Sequence, residues 1–391
     1  MVTTPPLHDP AWWAGDPYPE LAALRAEDPV HRYEGEAGEL WMITRHADIQ
    51  AIAKDPATFS SARGVLLTDL TRPALGTSIV SLDPPRHGRL RRLVSPSLSV
   101  RRVADLEDRV RAIARDLLDA VDPTGVVDAV ARLASPLPIM VIAELVGVPQ
   151  EDADRFHQWS DAAMAATDGL TAEVTMLLGE LYGYIADHVR ARYADPADDL
   201  VSVLAHGRVD GEALGDDEIN MFVLTLLVAG NETTRTLVSN GLHALACHPD
   251  QRRRLVDDPA LIGCGVEELL RWEAPIMSFC RTATREVELG GQTLAEGDHV
   301  LLCYQSANRD EAAFGPTADR LDVGRDPNPH LSFGYAEHYC LGAGLARLEG
   351  RVLFEELLAR WPDYELAGEI ERLPSRLARG VVHLPVRLEP G

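Results

Sequence analysis

One of the five cysteines stands among glycines in HLSFGYAEHYCLG (330–342). Glycines on both sides suggest a tight loop that lets backbone amides approach the Cys340 sulfur, and LARLE (345–349) reads as a helix start. Amides and a helix N-terminus favour thiolate over thiol, so the flanks make Cys340 a ligand or a nucleophile. By itself, a lone cysteine before a helix reads as a buried core thiol. A second cluster, AGNETT (229–234), lies inside an apolar helical stretch. Gly230 weakens that helix by about 1 kcal/mol, and Glu232 puts a carboxylate where burial is costly. Local rules that fail together mark a functional site; the bland reading is a threonine bonded back to its own helix beside a capped glutamate. Glu268 and Arg271 are spaced i,i+3, and His87 and Arg91 i,i+4, so each pair shares a helix face. The first pair can form an ionic lock, and the second can meet an anion. Taken singly, each is an ordinary surface pair.

Taken in chain order, the segments resemble the cytochrome P450 haem-thiolate monooxygenases, from Asp9-Pro10 to the last strand pair. The cysteine loop matches the family's FxxGx(H/R)xCxG at Phe333, His338, Cys340 and Gly342. Ala336 stands where the family has its second glycine, which adds a methyl group and strains a glycine-type backbone. AGNETT matches the oxygen-activation signature (A/G)Gx(D/E)T(T/S), ELLR (268–271) matches ExxR, and DPPRHGRLRR (83–92) resembles the HxxxR helix. RWEAP (271–275) and SANRD (306–310) are similar to actinobacterial members.

The resemblance implies that Cys340 binds the iron of haem b in a loop that includes Phe333, while Thr233 and Glu232 manage oxygen and protons. His87, Arg91, Arg281 and His338 would hold the propionates. Glu268 and Arg271 would form a structural lock, with Arg320 of DRL (319–321) as its third member. Residues 64–80 would make a flexible lid, and Leu66, Leu226, Ala229, Ile276, Met277 and Phe279 would line the substrate pocket. The implied reaction inserts one atom of O2 into a C–H or C=C bond of a lipophilic steroid, terpenoid, fatty acid or polyketide. Electrons from NAD(P)H would arrive through a ferredoxin or flavodoxin. Two rivals stay open: a peroxide-driven or oxidative-coupling haem enzyme, and a non-catalytic haem or ligand-binding protein.

The elements that must position these residues are mostly helices, predicted at about 103–121, 151–165, 172–193 and 217–247. The last is a rod of roughly 46 Å, apolar nearly all round in its first half, so it should be buried. ELWMITR (39–45) and VELGGQTLAEGDHVLLCY (287–304) read as strands, the second group a hairpin around Gly290-Gly291, and VVHLPVRLEP (381–390) alternates as a small sheet would. The expectation is one mainly α domain over 1–391 with a small β region, at about 28–45, 275–305 and the C-terminal strands. The resemblance places the haem between the long helix and the cysteine loop.

A net charge of −24 disfavours a nucleic-acid partner. Within that acidic chain, residues 86–115 hold nine arginines against three acids, either a solvated face or a docking patch for an acidic partner. The odd cysteine count without CxxC argues against a disulfide scaffold. With no signal sequence or membrane-length apolar run, a cytoplasmic monomer is expected.

Overall fold

The computed structural model describes residues 4–35, 38–70, 78–149 and 152–389, with backbone alone at 69, 70, 153, 154, 167, 168 and 389. Its axis is the 32-residue helix Asp216–Cys247. Asp216, Asp217 and Glu218 occupy the first turn, where carboxylates meet the positive end of the helix dipole. Most of its length is buried, Phe222, Val223, Leu227, Leu237, Val238 and Leu242 included. Around it pack the helices Pro136–Val146, Ala153–Asp168, Ala172–Ala194, Ile262–Trp272 and Ala343–Arg360. Two glycines set the closest approach to the last of these. A Cβ at Gly350 would lie 3.0 Å from Leu237, and one at Gly241 would lie 2.6 Å from Phe354. Leu237 meets Gly350, and Gly241 meets Phe354 four residues further along both, so the two helices run in the same direction. Going back from that contact leads to Thr233 and Ala229 on one helix, and to Gly342 and Cys340 on the other.

A five-stranded sheet lies at one side, in the order Val30–Gly35, Gly38–Ile43, His299–Cys303, Ser278–Ala283, Phe59–Ser60. Gly38–Ile43 and His299–Cys303 pair in parallel, and the other neighbours are antiparallel. Met42, Ile43, Val300, Leu301 and Leu302 are wholly buried, as expected for strands covered on both faces. The sheet edge matters for the site. Ser278–Ala283 carries Arg281, and its pairing with Phe59–Ser60 brings Ser61 alongside. Asp83 accepts the Ser60 hydroxyl at 2.5 Å and the Ser61 N–H at 2.8 Å. Its carbonyl takes the His87 N–H at 3.1 Å, which ties the helix Arg86–Val94 to that edge.

One expectation needs correction. The helix expected over 103–121 is two, Val100–Asp105 and Glu107–Asp119, separated at Leu106. The C-terminal run forms strands as expected, two short ones that join different small sheets. Val381–His383 joins Glu371–Arg372, while Pro385–Glu389 joins Asp363–Leu366 and Val126–Asp128. Only Leu384 separates them, too little chain for a reversal. Of the expected lid, residues 71–77 lie outside the described residues; short turns at Leu67–Leu70 and Ile79–Ser81 flank them. Among the described residues no helix is long and apolar enough to cross a membrane.

Candidate active site

The cysteine loop is closed by its own backbone. Cys340 N–H donates to the Phe333 carbonyl at 2.7 Å, and both Gly334 (φ +69°) and Ala336 (φ +54°) are left-handed. At Gly334 a Cβ would stand 3.2 Å from the His338 carbonyl oxygen, so glycine serves there on two counts. Ala336 adopts the same region with its methyl in place, at a cost of about 1–2 kcal/mol. The loop thus keeps the glycine-type backbone and Ala336 bears the strain. Ala336→Gly should therefore raise stability by about 1 kcal/mol after the glycine's extra chain entropy. Thermal unfolding should register a rise of roughly 1 °C with unaltered haem spectra; an unmoved or lower midpoint would mean the strain is absent.

Burial pushes the Cys340 thiol up, while the Gly342 N–H and the charges of Arg91 and Arg347 favour the thiolate. The side chain is nevertheless exposed, which puts the sulfur on the wall of a recess. The central helix shows a matching opening. Ala229 is exposed, and Leu226, Gly230 and Thr233 are half-buried, within a helix otherwise largely covered.

Thr233 and Glu232 are not joined. Thr233 Oγ1 donates to the Ala229 carbonyl at 2.6 Å. Glu232 is turned away into the interior, 2.8 Å from Arg235, with Thr236 Oγ1 at 3.4 Å. Burial pushes its carboxyl up, against the opposing Arg235 charge. Arg235 also donates to Asp161 at 3.0 Å, and Asn231 donates to Ser160 at 2.6 Å. Both bonds tie the central helix to Ala153–Asp168.

His87, Arg91, Arg281 and His338 converge. The two imidazoles are 4.3 Å apart, and His338 Nε2 lies 3.2 Å from Ser61 Oγ. Burial, followed by the charges of Arg281, His87 and Arg91, holds His338 down at about 3. Burial and Arg91 likewise lower His87, against Asp83. Both shifts favour the neutral imidazole, which still offers one N–H, and Arg91 and Arg281 bring the positive charge. Among the described residues no carboxylate is paired with Arg91 or Arg281, and His87 Nδ1 is a buried polar atom without a hydrogen-bond partner. This donor set suits two carboxylates. The propionates of a haem fit it, and the Cys340 thiol fits the iron.

The lock is built around Glu268 and Arg271, both buried. Arg271 donates Nε and Nη2 to the two Glu268 oxygens, each at 2.7 Å, and its Nη1 holds the Asn308 and Ala318 carbonyls, both at 2.7 Å. The third member of the lock is a correction. Arg320 is exposed and contributes only its carbonyl oxygen, to Arg271 Nη2 at 2.8 Å. Arg325 supplies the charge instead, with Nε 3.1 Å from Glu268 Oε2. Asn328 Nδ2 at 3.0 Å and the Asp322 N–H at 2.8 Å complete the carboxylate's shell. Arg325 has the same residue type in the same coil, so spacing alone does not select it over Arg320. Sequence reasoning also missed Glu267 and Arg347, bonded bidentately at 2.6 and 2.8 Å beside the cysteine loop; the doubled glutamate preceding the lock was the available signal.

Of the expected pocket residues, Leu66, Leu226, Ile276 and Phe279 are half-buried and Ala229 is exposed. Met277 is a correction. It is wholly buried in the cluster of Leu7, Trp13, Leu21 and Leu301, so it packs core rather than lining a pocket. The basic run is largely neutralised within the chain. Arg86 pairs with Glu218, Arg89 with Asp210, Arg102 with Asp198, Arg109 with Glu144, and Arg111 and Arg115 with Glu356.

Comparison with known proteins gives a consistent answer. The family model described as cytochrome P450 matches residues 148–258 and 264–366. The chain is 40% identical over 383 residues to the vitamin D(3) 25-hydroxylase of Pseudonocardia autotrophica, covering 96% of this chain and 94% of that one. It is 40% identical over 375 residues to the mycinamicin IV hydroxylase/epoxidase of Micromonospora griseorubida, covering 93% of each. A solved Mycobacterium marinum cytochrome P450, CYP268A2 in complex with pseudoionone, matches with a TM-score of 0.90 at 35% identity over 99% of both chains. Likeness of this extent, in sequence and in fold alike, means that the chain belongs to the cytochrome P450 family, among its bacterial monooxygenases.

Proposed function

We propose that the chain holds haem b through Cys340 and inserts one atom of O2 into a C–H or C=C bond of a lipophilic molecule of steroid, terpenoid, fatty acid or polyketide type. The observation that carries this reading is the Cys340 sulfur, contacted by the Gly342 amide and open to a recess. When bound, thiolate-ligated haem supplies the activation of O2. The chain does the rest. Arg91 and Arg281 neutralise the propionates, and His87 and His338 donate to them. Ala229 keeps side-chain bulk off the open face of the central helix, leaving room beside Thr233, while Gly230 lets Ile142 of Pro136–Val146 pack close, 3.1 Å from where a Cβ would stand. Leu66, Leu226, Ile276 and Phe279 present apolar surface to the guest. The names of the relatives, vitamin D(3) and mycinamicin IV, and the bound pseudoionone point to substrates of that kind.

Thr233 Oγ1 hands a proton toward the recess from its position bonded to Ala229, and Glu232 resupplies it after turning from Arg235. Positioned proton delivery is worth about 10²–10⁴ in rate, so Thr233→Ala should lower product formed per electron consumed by at least tenfold, with peroxide released. Unchanged coupling would assign the proton to another group. Electrons come from NAD(P)H through a ferredoxin or flavodoxin. Arg92 and Arg101, exposed and without ion-pair partners among the described residues, together with the 89%-exposed Val100 next to Arg101, form the docking point for an acidic carrier.

A peroxide-driven enzyme is the second reading, favoured by the separation of Thr233 from Glu232. The deciding experiment is the CO spectrum of the dithionite-reduced protein, followed by turnover. A strongly red-shifted Soret band with turnover on a ferredoxin system is expected. Turnover on peroxide alone would favour the second reading, and no haem after reconstitution would end both.

A further inference from the structure

Adjacent glutamates on the helix Ile262–Trp272 face different tasks. Glu268 belongs to the lock, whereas Glu267 faces the cysteine loop. Its Oε1 accepts Arg347 Nε at 2.6 Å and its Oε2 accepts Nη2 at 2.8 Å. His330 Nε2 adds a third bond at 3.1 Å. His330 Nδ1 accepts the Ser332 N–H at 3.3 Å, so the imidazole proton is assigned to Nε2 and points at Glu267. Burial pushes the Glu267 carboxyl up, but the bonds from Arg347 and His330 outweigh it and hold it at about 2. It is ionised throughout the neutral range.

The other side of Arg347 is turned to the loop. Nη1 lies 2.9 Å from the hydroxyl of Tyr339, the residue before Cys340. The guanidinium sits 4.5 Å over the ring of Phe333, whose carbonyl accepts the Cys340 N–H. Glu267 thus grips the loop on both sides of the sulfur, through His330 before it and Arg347 after it. The arginine charge favours the Cys340 thiolate.

We propose, on the reading of Cys340 as haem ligand, that Glu267 is a positioning residue whose paired carboxylate limits the positive charge Arg347 presents to the thiolate, and so sets the reduction potential of the bound iron. Reduction adds one electron at the iron, so positive charge nearby favours it and negative charge opposes it. The two partners therefore pull in opposite directions, a signature that simple loosening of the loop does not produce.

The test is a mediated redox titration of the haem-loaded protein and three variants, Glu267→Gln, Arg347→Gln and the double variant. A ferrous-CO spectrum is taken for each as a check on ligation. The potential should rise in Glu267→Gln, fall in Arg347→Gln and return toward wild type in the double variant, with the thiolate CO band retained. Shifts in the same direction, or none, with that band intact overturn the proposal and leave the ligand reading standing. A wild-type protein without the thiolate band overturns both. Should Arg347→Gln fail to hold haem, Arg347→Lys takes its place. The lysine charge should then keep the potential near wild type while Glu267→Gln still raises it, and an unmoved Glu267→Gln overturns the proposal.

Discussion

Replacing Cys340 by serine is expected to abolish the strongly red-shifted CO band and to take reductant-driven turnover to background. The loop itself should survive. Serine keeps the N–H bond to Phe333, and its side chain is of similar size. What it lacks is an ionisable, polarisable donor. Arg91, Arg347 and the Gly342 amide can shift a thiol toward thiolate, but a serine hydroxyl stays protonated at any working pH. The measurement is the reduced CO spectrum beside a circular dichroism spectrum. A wild-type CO band in the serine variant would sink the ligand assignment, and a lost far-ultraviolet signal would assign Cys340 to folding as well.

Removal of the Glu268 charge should have the largest effect on stability. Two guanidiniums, an amide side chain and a backbone N–H converge on this carboxylate. Glu268→Gln leaves Arg271, itself 1% exposed, without its counter-charge. Breaking a buried pair by removing one partner costs about 3–5 kcal/mol, against roughly 5–15 kcal/mol for a whole protein. Little folded, haem-retaining protein is expected at 37 °C. Arg325→Ala should follow it in direction, whereas Arg320→Ala should stay within about 0.5 kcal/mol because only its carbonyl takes part. Urea denaturation of the three variants checks the order. Equal loss at positions 320 and 325 would restore Arg320 to the lock.

The cysteine loop, the Glu268–Arg271 pair and the long helix were legible because each is local. Spacing within one turn of chain determines which side chains share a face. The third lock residue was not, since 320 and 325 lie in one irregular coil where no period says which arginine turns inward. Met277 shows the same limit. Its hydrophobicity suited a pocket or a core equally, and only the fold placed it against Leu7 and Trp13. The adjacency of Glu232 and Thr233 in sequence suggested joint action, yet neighbours in a helix point about 100° apart, and Arg235 held the glutamate elsewhere. For the basic run, charge counting missed partners such as Glu218 and Glu356, far away in the chain.

The convergence at the sheet edge also says when the cofactor site can come into being. Ser61 and His338 touch across 277 positions of chain, and the parallel pairing of Gly38–Ile43 with His299–Cys303 spans a similar separation. Contacts of such long range close slowly, because the loop entropy is lost before any bond is gained. The helical contacts around Asp216–Cys247 can form earlier, and they contain none of the four residues proposed to hold the propionates. A chain still emerging from synthesis, or arrested with its first strand undocked, would carry helices but no haem site. The rate of cofactor capture is therefore expected to follow docking of the N-terminal strands rather than collapse of the helical core.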